Sequence, residues 1–269
     1  MDFGVFYTCY TEKKAVEYSL DVLYDLYPDV PVYLVSDGGC DYSDLEEKYS
    51  KMGFNIKALL EKDSRGLIPS FAHRDDYHSE EIQKEVLDSV IIFIDRIKRA
   101  IDYTGKKFLL IMEPDVLVRG KISNPSGHKL LGSRINVGMS DQIREIVRNY
   151  PGSIDVNNWG VTPAIFECDS FNKIYEIINS DNELVKNLCN SDRRFANYDF
   201  MLAVLFAIVG IPESINSEII ECFRDPNWES SWHPLVHQYR AKYPLSTEGY
   251  TGTHIINKNG IGDQWGWKR

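Results

Sequence analysis

Between Phe3 and Val118 the chain alternates β-rich runs with amphipathic segments, and this alternation restricts the possible folds more than any other feature. FGVFYTCY, PVYLVSDGG, FNIKALL and KFLLIMEPDV are strand-like. After the first, EKKAVEYSLDVLYDLY sets Ala15, Leu20, Val22, Leu23 and Leu26 at helical spacing, and Pro28 and Pro31 stop it. DYSDLEEKYSKMG is expected to be a helix with Asp41 or Ser43 as N-cap and Gly53 as C-cap. The stretch 61–79 is polar, rich in Arg, Asp and His, and reads as a loop. SEEIQKEVLDSVIIFIDRIKRAID is a long helix that Ser79 caps, with acids in its first turn and basic residues in its last, as the helix dipole prefers. Strands separated by helices imply an α/β fold, a parallel sheet with helices on both faces.

The second half is less regular. VLVRGKI, HKLLGSRI and WGVTPAIFE read as short strands, the last followed by a helix capped by Asp169 or Ser170. After a polar loop, NYDFMLAVLFAIVG reads as a buried helix. Beyond Phe223 the sequence is rich in aromatics, Pro and Gly, with little periodicity.

With 269 residues, 43% of them hydrophobic, the chain has ample material for one large core. A net charge of −10 removes the basic footprint that nucleic-acid binding needs, so any anionic ligand is expected to come with a cation. Five scattered cysteines without a CxxC suggest reduced thiols rather than a disulfide frame or zinc site. MDFGVFYTCY carries no signal-peptide pattern, and no apolar run reaches the roughly 18 residues that span a bilayer. A soluble, cytoplasmic protein is expected, with a viral or bacterial cytosol as a plausible setting.

In an open α/β sheet, ligands bind beyond the carboxyl ends of the strands. Three such ends are informative: Thr8–Tyr10, Ser36–Gly39 and Glu113–Asp115. Gly38 and Gly39 let backbone approach a ligand, and Asp37 can accept hydrogen bonds from a base or ribose; a plain Asp-Gly turn is the competing reading. In FLLIMEPDVLV, five apolar residues deliver Glu113, Pro114 and Asp115. On an extended chain residues i and i+2 share a face, so the two carboxylates are expected to project together and to need a cation between them. Hard oxygen ligands suit Mn²⁺ or Mg²⁺, the ions that commonly join carboxylates to substrate phosphates.

A strand ending in an acid pair, in an α/β chain of this size, resembles the GT-A-fold glycosyltransferases. The resemblance implies a mostly parallel, Rossmann-like sheet in a single domain. Residues 1–122 would be its nucleotide-sugar-binding half and 123–269 its acceptor-binding half. It implies that the acid pair holds Mn²⁺ or Mg²⁺ on the diphosphate of a UDP- or GDP-linked sugar. The first acid of the family's D-x-D is here Glu113, which leaves Asp115 as the safer ligand. Other pieces follow in family order. FYTCY resembles the first nucleotide-contacting strand and places Thr8 and Tyr10 near the base, and VSDGG places Asp37 near the nucleoside. DRIKRAIDYTGKKFLLIMEPD resembles the helix–Gly–strand–DxD run in which Arg96 faces the donor, with a solvated helix cation as the alternative. NNWGVTPAIFE resembles the N-x-G strand of glycogenin-like transferases, giving Asn158 and Gly160. NYDFML resembles the x-Q-D-x-x-L helix start, giving Asp199. His254 and His237 are candidates for the late histidine that completes the metal shell.

The implied reaction moves a sugar from a nucleoside-diphosphate donor to a hydroxyl of a glycan or glycoprotein. Arg74 or Arg96 would add positive charge, and Asp199 or Asp155 would serve as base if the reaction inverts, although the glycogenin-like pieces tilt toward retention. A sugar-nucleotide nucleotidyltransferase is disfavoured because FYTCYTEKKA lacks a Gly-rich loop. A non-catalytic carbohydrate-binding protein has no need of an acid pair at a central strand end.

Overall fold

The structure, a computed structural model, describes residues 2–10, 13–62, 75–114, 116–118, 120–122, 127–135, 138–156, 159–215, 220–223 and 236–239. The alternation read from the first half is present: β1 (Phe3–Cys9), α1 (Lys13–Leu26), β2 (Val32–Asp37), α2 (Ser43–Lys51), β3 (Ile56–Glu61), α3 (Glu80–Thr104) and β4 (Phe108–Met112). Then come β5 (Val116–Val118), β6 (Leu130–Ile135), α4 (Asp141–Arg148), β7 (Trp159–Glu167), α5 (Cys168–Ser180) and α6 (Leu184–Ser191). A 3-10 turn (Arg193–Ala196) leads into α7 (Tyr198–Ile208), followed by β8 (Ser214–Ile215), β9 (Ile220–Phe223) and β10 (Val236–Tyr239).

The main sheet has the order β3-β2-β1-β4-β7-β6-β8. β3, β2, β1 and β4 are mutually parallel, β7 runs antiparallel to both β4 and β6, and β8 is parallel to β6. The fold is therefore α/β with one reversed strand inside a mostly parallel sheet. Strand alternation divides the core between two faces. Val5, Tyr7, Leu34, Leu110 and Met112 point toward Val16, Leu20 and Leu23 of α1 and Leu45 and Tyr49 of α2. Phe6, Val35, Leu109 and Ile111 point toward α3, α5, α6 and α7. Each large apolar side chain so buried contributes roughly 1.5–3 kcal/mol. All eleven residues of α7 are buried, which is why its sequence is apolar all round rather than striped. α3 packs against β1 so closely that a Cβ on Gly4 would lie 2.4 Å from the Cβ of Thr104.

Helix ends follow local chemistry, with four corrections. Ser79 caps α3 as expected, its Oγ accepting from the Ile82 N–H at 3.4 Å. The helix runs on to Thr104, however, so Lys98 and Arg99 fall short of its last turn and no basic residue lies there. Tyr42 holds the N-cap position of α2, while Asp41 accepts from the Ser43 N–H at 2.8 Å; Met52, not Gly53, holds its C-cap position, and Gly53 follows at φ +89°. α5 begins directly after β7, with Glu167 at its N-cap, so neither Asp169 nor Ser170 caps it, and Ser170 donates to Glu167 at 2.7 Å. α4 and α6 were not expected.

β5, β10 and β9 form a second, three-stranded sheet, with β10 antiparallel to β5 and parallel to β9. Among the described residues no helix is long and apolar enough to cross a membrane.

Candidate functional site

The carboxyl ends of β1 and β2 are joined through one carbonyl. The Tyr10 oxygen accepts from the Cys40 N–H at 2.7 Å, the Tyr42 hydroxyl at 3.2 Å and the Ser36 hydroxyl at 3.5 Å. Gly38 adopts φ +72°, and a Cβ on Gly39 would lie 2.0 Å from the same Tyr10 oxygen, so the DGG turn presses flat on the end of β1. The backbone of Tyr10 is thus pinned while the residue is 54% exposed, an aromatic side chain open to solvent at the sheet edge. Thr8, half-buried, pairs with Val35 one strand away. Gly39→Val is expected to lower stability by about 1–3 kcal/mol, because the overpacked Cβ meets backbone rather than a flexible side chain. Denaturant melts of the two proteins that superimpose would refute this close packing.

Asp37 and Glu61 end β2 and β3 in direct register. Two carboxylates on neighbouring strands repel unless a cation joins them. Arg96 supplies it, donating from Nη2 to Asp37 Oδ1 at 2.8 Å and from Nε to Glu61 Oε2 at 2.7 Å, and Arg99 donates to Glu61 Oε1 at 2.6 Å. Burial pushes the Glu61 carboxyl up, but Arg99 and Arg96 outweigh it and hold it below its ordinary value. Arg96 is wholly buried. It is therefore neither a solvated helix cation nor a side chain open to a donor, but a clamp beneath the edge. Glu61 was missed in the sequence; the signal was that FNIKALLE, like VYLVSD, ends on an acid.

β4 ends before the E-P-D segment, at Met112. The Val116 N–H donates to the Glu113 carbonyl at 2.9 Å, closing a tight turn with Pro114 at its second position, where the fixed φ of proline fits. β4 stops at Met112 and β5 begins at Val116, and the expected shared face of Glu113 and Asp115 falls on a residue, Asp115, outside the described ones. Glu113 is half-buried at the exit of β4, while Asp115 lies outside the described residues.

The pairing of Ile111 with Ala164 carries the first residues of β7, Trp159 and Gly160, past the end of β4. Gly160 and the acid turn thus occupy one edge of the sheet. His237 in β10 pairs with Leu117 in β5, two positions beyond Asp115. His254, Arg74 and Asn158 lie outside the described residues. Among the described residues no three His, Cys, Asp or Glu side chains gather as a metal-binding group.

The two candidate bases are not brought together. Asp199, 5% exposed, sits in the first turn of α7, where its charge meets the positive end of the helix dipole and its N–H is capped by Asn197 Oδ1 at 3.1 Å. Tyr198, at the Q position of the x-Q-D pattern, stacks on Phe93 with ring centroids 5.0 Å apart. Asp155 is on the surface, paired with Arg148 at 3.2 Å, and the N–H of its neighbour Ile154 donates to Ala207 at the other end of α7. The eight steps along α7 from Asp199 to Ala207 span about 12 Å.

No protein-family model matches the sequence, and no curated protein is similar to it at the sequence level. Solved structures are similar in fold. The galactosyltransferase LgtC in complex with donor and acceptor sugar analogs aligns at a TM-score of 0.55 and 14% identity, over 97% of this chain and 96% of that one. An active-site mutant of LgtC aligns at 0.57 and 14%, with the same coverage. The fold is GT-A. A mannosyltransferase from Pyrobaculum calidifontis in complex with GDP-Man and Mn²⁺ aligns only in part, at a TM-score of 0.37 and 11% identity, the chain spanning 46% of its length. Within the GT-A sheet, the Tyr10 ring, the clamped Asp37, the Glu113 turn and the start of β7 lie at the carboxyl edge of β1, β2 and β4.

Proposed function

We propose that the chain is a metal-dependent glycosyltransferase that moves a sugar from a nucleoside-diphosphate donor, UDP- or GDP-linked, to a hydroxyl of a glycan or glycoprotein. The observation that carries this reading is the acid turn at the exit of β4, set on the same GT-A edge as Tyr10, Asp37 and Gly160. Residues 1–122 would take the donor and 123–269 the acceptor. Tyr10 offers its exposed face to the base, with Thr8 behind it, and Asp37 an acceptor to the nucleoside. Gly160 lets the donor sugar lie against backbone, beside Asn158. Arg74 adds positive charge near the diphosphate. Asp199 is the acid nearest the GT-A helix-start pattern, and Asp155 is the alternative base.

Glu113 and Asp115 offer hard oxygen donors that fit Mn²⁺ or Mg²⁺. A late histidine, His254 or His237, would complete the set; the backbone of His237 pairs with Leu117, near Asp115 in the sequence. A bound divalent ion supplies charge that stabilises the departing diphosphate. Cys168 and Cys189 are buried thiols outside any disulfide, which fits a cytoplasmic setting.

Titration calorimetry with UDP and GDP, each in Mn²⁺ and in EDTA, tests the reading. Binding of one nucleotide that requires the metal is the expected result. The cognate sugar nucleotide should then raise the melting temperature by mass action and be turned over. Failure of both nucleotides to bind, or turnover that survives metal removal, would overturn it.

A further inference from the structure

The Asp37–Arg96–Glu61–Arg99 cluster points to a task beyond neutralising charge. Arg96 comes from the inner face of α3, yet both ends of its guanidinium are spent on the last residues of β2 and β3. Its side chain is 1% exposed, whereas those of Asp37 and Glu61 are 21% and 20% exposed. A guanidinium is planar, and its Nε and Nη2 hydrogens point in fixed directions. Gripping Glu61 through Nε therefore sets where Nη2 must lie, and Nη2 sets Asp37 Oδ1. Glu61 is steadied in turn by Arg99 from one helical turn away on α3. The carboxylate of Asp37 is held from beneath by a chain of charge-assisted hydrogen bonds. Its partly exposed side stands just before the Gly38–Gly39 turn that presses on Tyr10.

We propose that Arg96 and Glu61 are positioning residues that orient Asp37 to accept hydrogen bonds from the ribose hydroxyls of a nucleoside diphosphate whose base lies on Tyr10. This rests on the donor-binding reading above. A ligand that meets a fixed carboxylate avoids the cost of ordering it, and a ribose hydroxyl lost from such a site leaves a charged acceptor unpaired. The chemistry recognised is a vicinal diol. The cluster therefore gives the site a preference for ribonucleotides over 2′-deoxyribonucleotides, whatever the base.

The test compares UDP with 2′-deoxy-UDP, and GDP with 2′-deoxy-GDP, by calorimetry in Mn²⁺. Wild-type protein is expected to favour the ribose form about tenfold or more, the scale of one hydrogen bond to a charged group. Arg96→Lys keeps the charge but not the rigid two-pronged geometry. It should bring that ratio close to one, with the affinity for the 2′-deoxy form unchanged. Glu61→Ala, which leaves the Arg96–Asp37 contact but removes the anchor behind it, should reduce the ratio at least threefold, and it decides the question alone if Arg96→Lys does not fold. Variants that keep the full ribose preference, or that lose affinity for both sugars equally, would overturn the positioning role, the second outcome marking a purely structural one. A wild-type protein that binds nucleotide without ribose preference would also overturn it while leaving the donor-binding reading intact. A wild-type protein that binds none of the four nucleotides would overturn both.

Discussion

Asp115→Asn should lower sugar transfer by about a hundredfold or more, with the melting temperature essentially unchanged. The amide preserves the shape of the side chain and removes the charge. A missing anionic ligand weakens the hold on the divalent ion that stabilises the leaving diphosphate, and electrostatic groups of this kind are typically worth 10²- to 10³-fold in rate. The turn itself should survive, because the amide keeps the size of the side chain and the Val116 N–H to Glu113 carbonyl bond joins backbone atoms. Raising the Mn²⁺ concentration should recover part of the lost activity. Glu113→Gln is expected to do less, since this acid is half-buried where the strand ends. The informative measurement is initial transfer rate against Mn²⁺ concentration for the three proteins. An Asp115→Asn protein with wild-type rates at every metal concentration would rule out Asp115 as a ligand.

The second large effect concerns stability. Arg96→Leu removes a buried cation from between Asp37 and Glu61 and leaves two carboxylates at the edge of the core, a change that typically costs about 3–5 kcal/mol. Its pH dependence has a definite sign. The folded pKa of Glu61 lies below its ordinary value of 4.5, so the group contributes stability that is complete above that value and is lost as pH falls through the folded pKa. Without Arg96 that depression weakens, and the folded state tolerates a protonated Glu61 more readily. The gap between wild type and Arg96→Leu should thus be widest near neutral pH and narrow below about pH 4.5. Urea denaturation at neutral pH and at pH 4 would show it. A gap of equal size at both would mean that the loss comes from packing rather than from charge.

The first half of the fold was legible because local signals there agree with one another. Strand runs, Ser79 as a cap and Gly53 just past a helix end all act within a few residues, and the helices cover both faces as the pattern implied. The reversal of β7 was not legible, since WGVTPAIFE has the composition of a strand in either direction and its orientation depends on the crossover before it. α4 carried a signal that went unused: Ser140 caps it, and Ile143, Ile146 and Val147 follow at helical spacing. At the site, Asp37 and Arg96 could each be singled out. Their partnership could not, because it joins residues 59 apart on different elements, and the Arg96–Glu61 contact joins residues 35 apart. The acid pair was visible as composition, but the turn that shapes it depends on a single backbone hydrogen bond.

The small sheet has a consequence for the order of assembly. β5, which follows the acid turn directly, finds its antiparallel partner only in β10, about 120 residues further along the chain, so loop closure must precede any gain from that pairing. The four parallel strands β3-β2-β1-β4, by contrast, lie within the first 112 residues and can form while the tail is still being synthesised. The acid turn would then have its support on the β4 side early and on the β5 side last. In a growing or truncated chain, the edge that carries the acid turn gains its final scaffold only when β10 has returned to pair with β5.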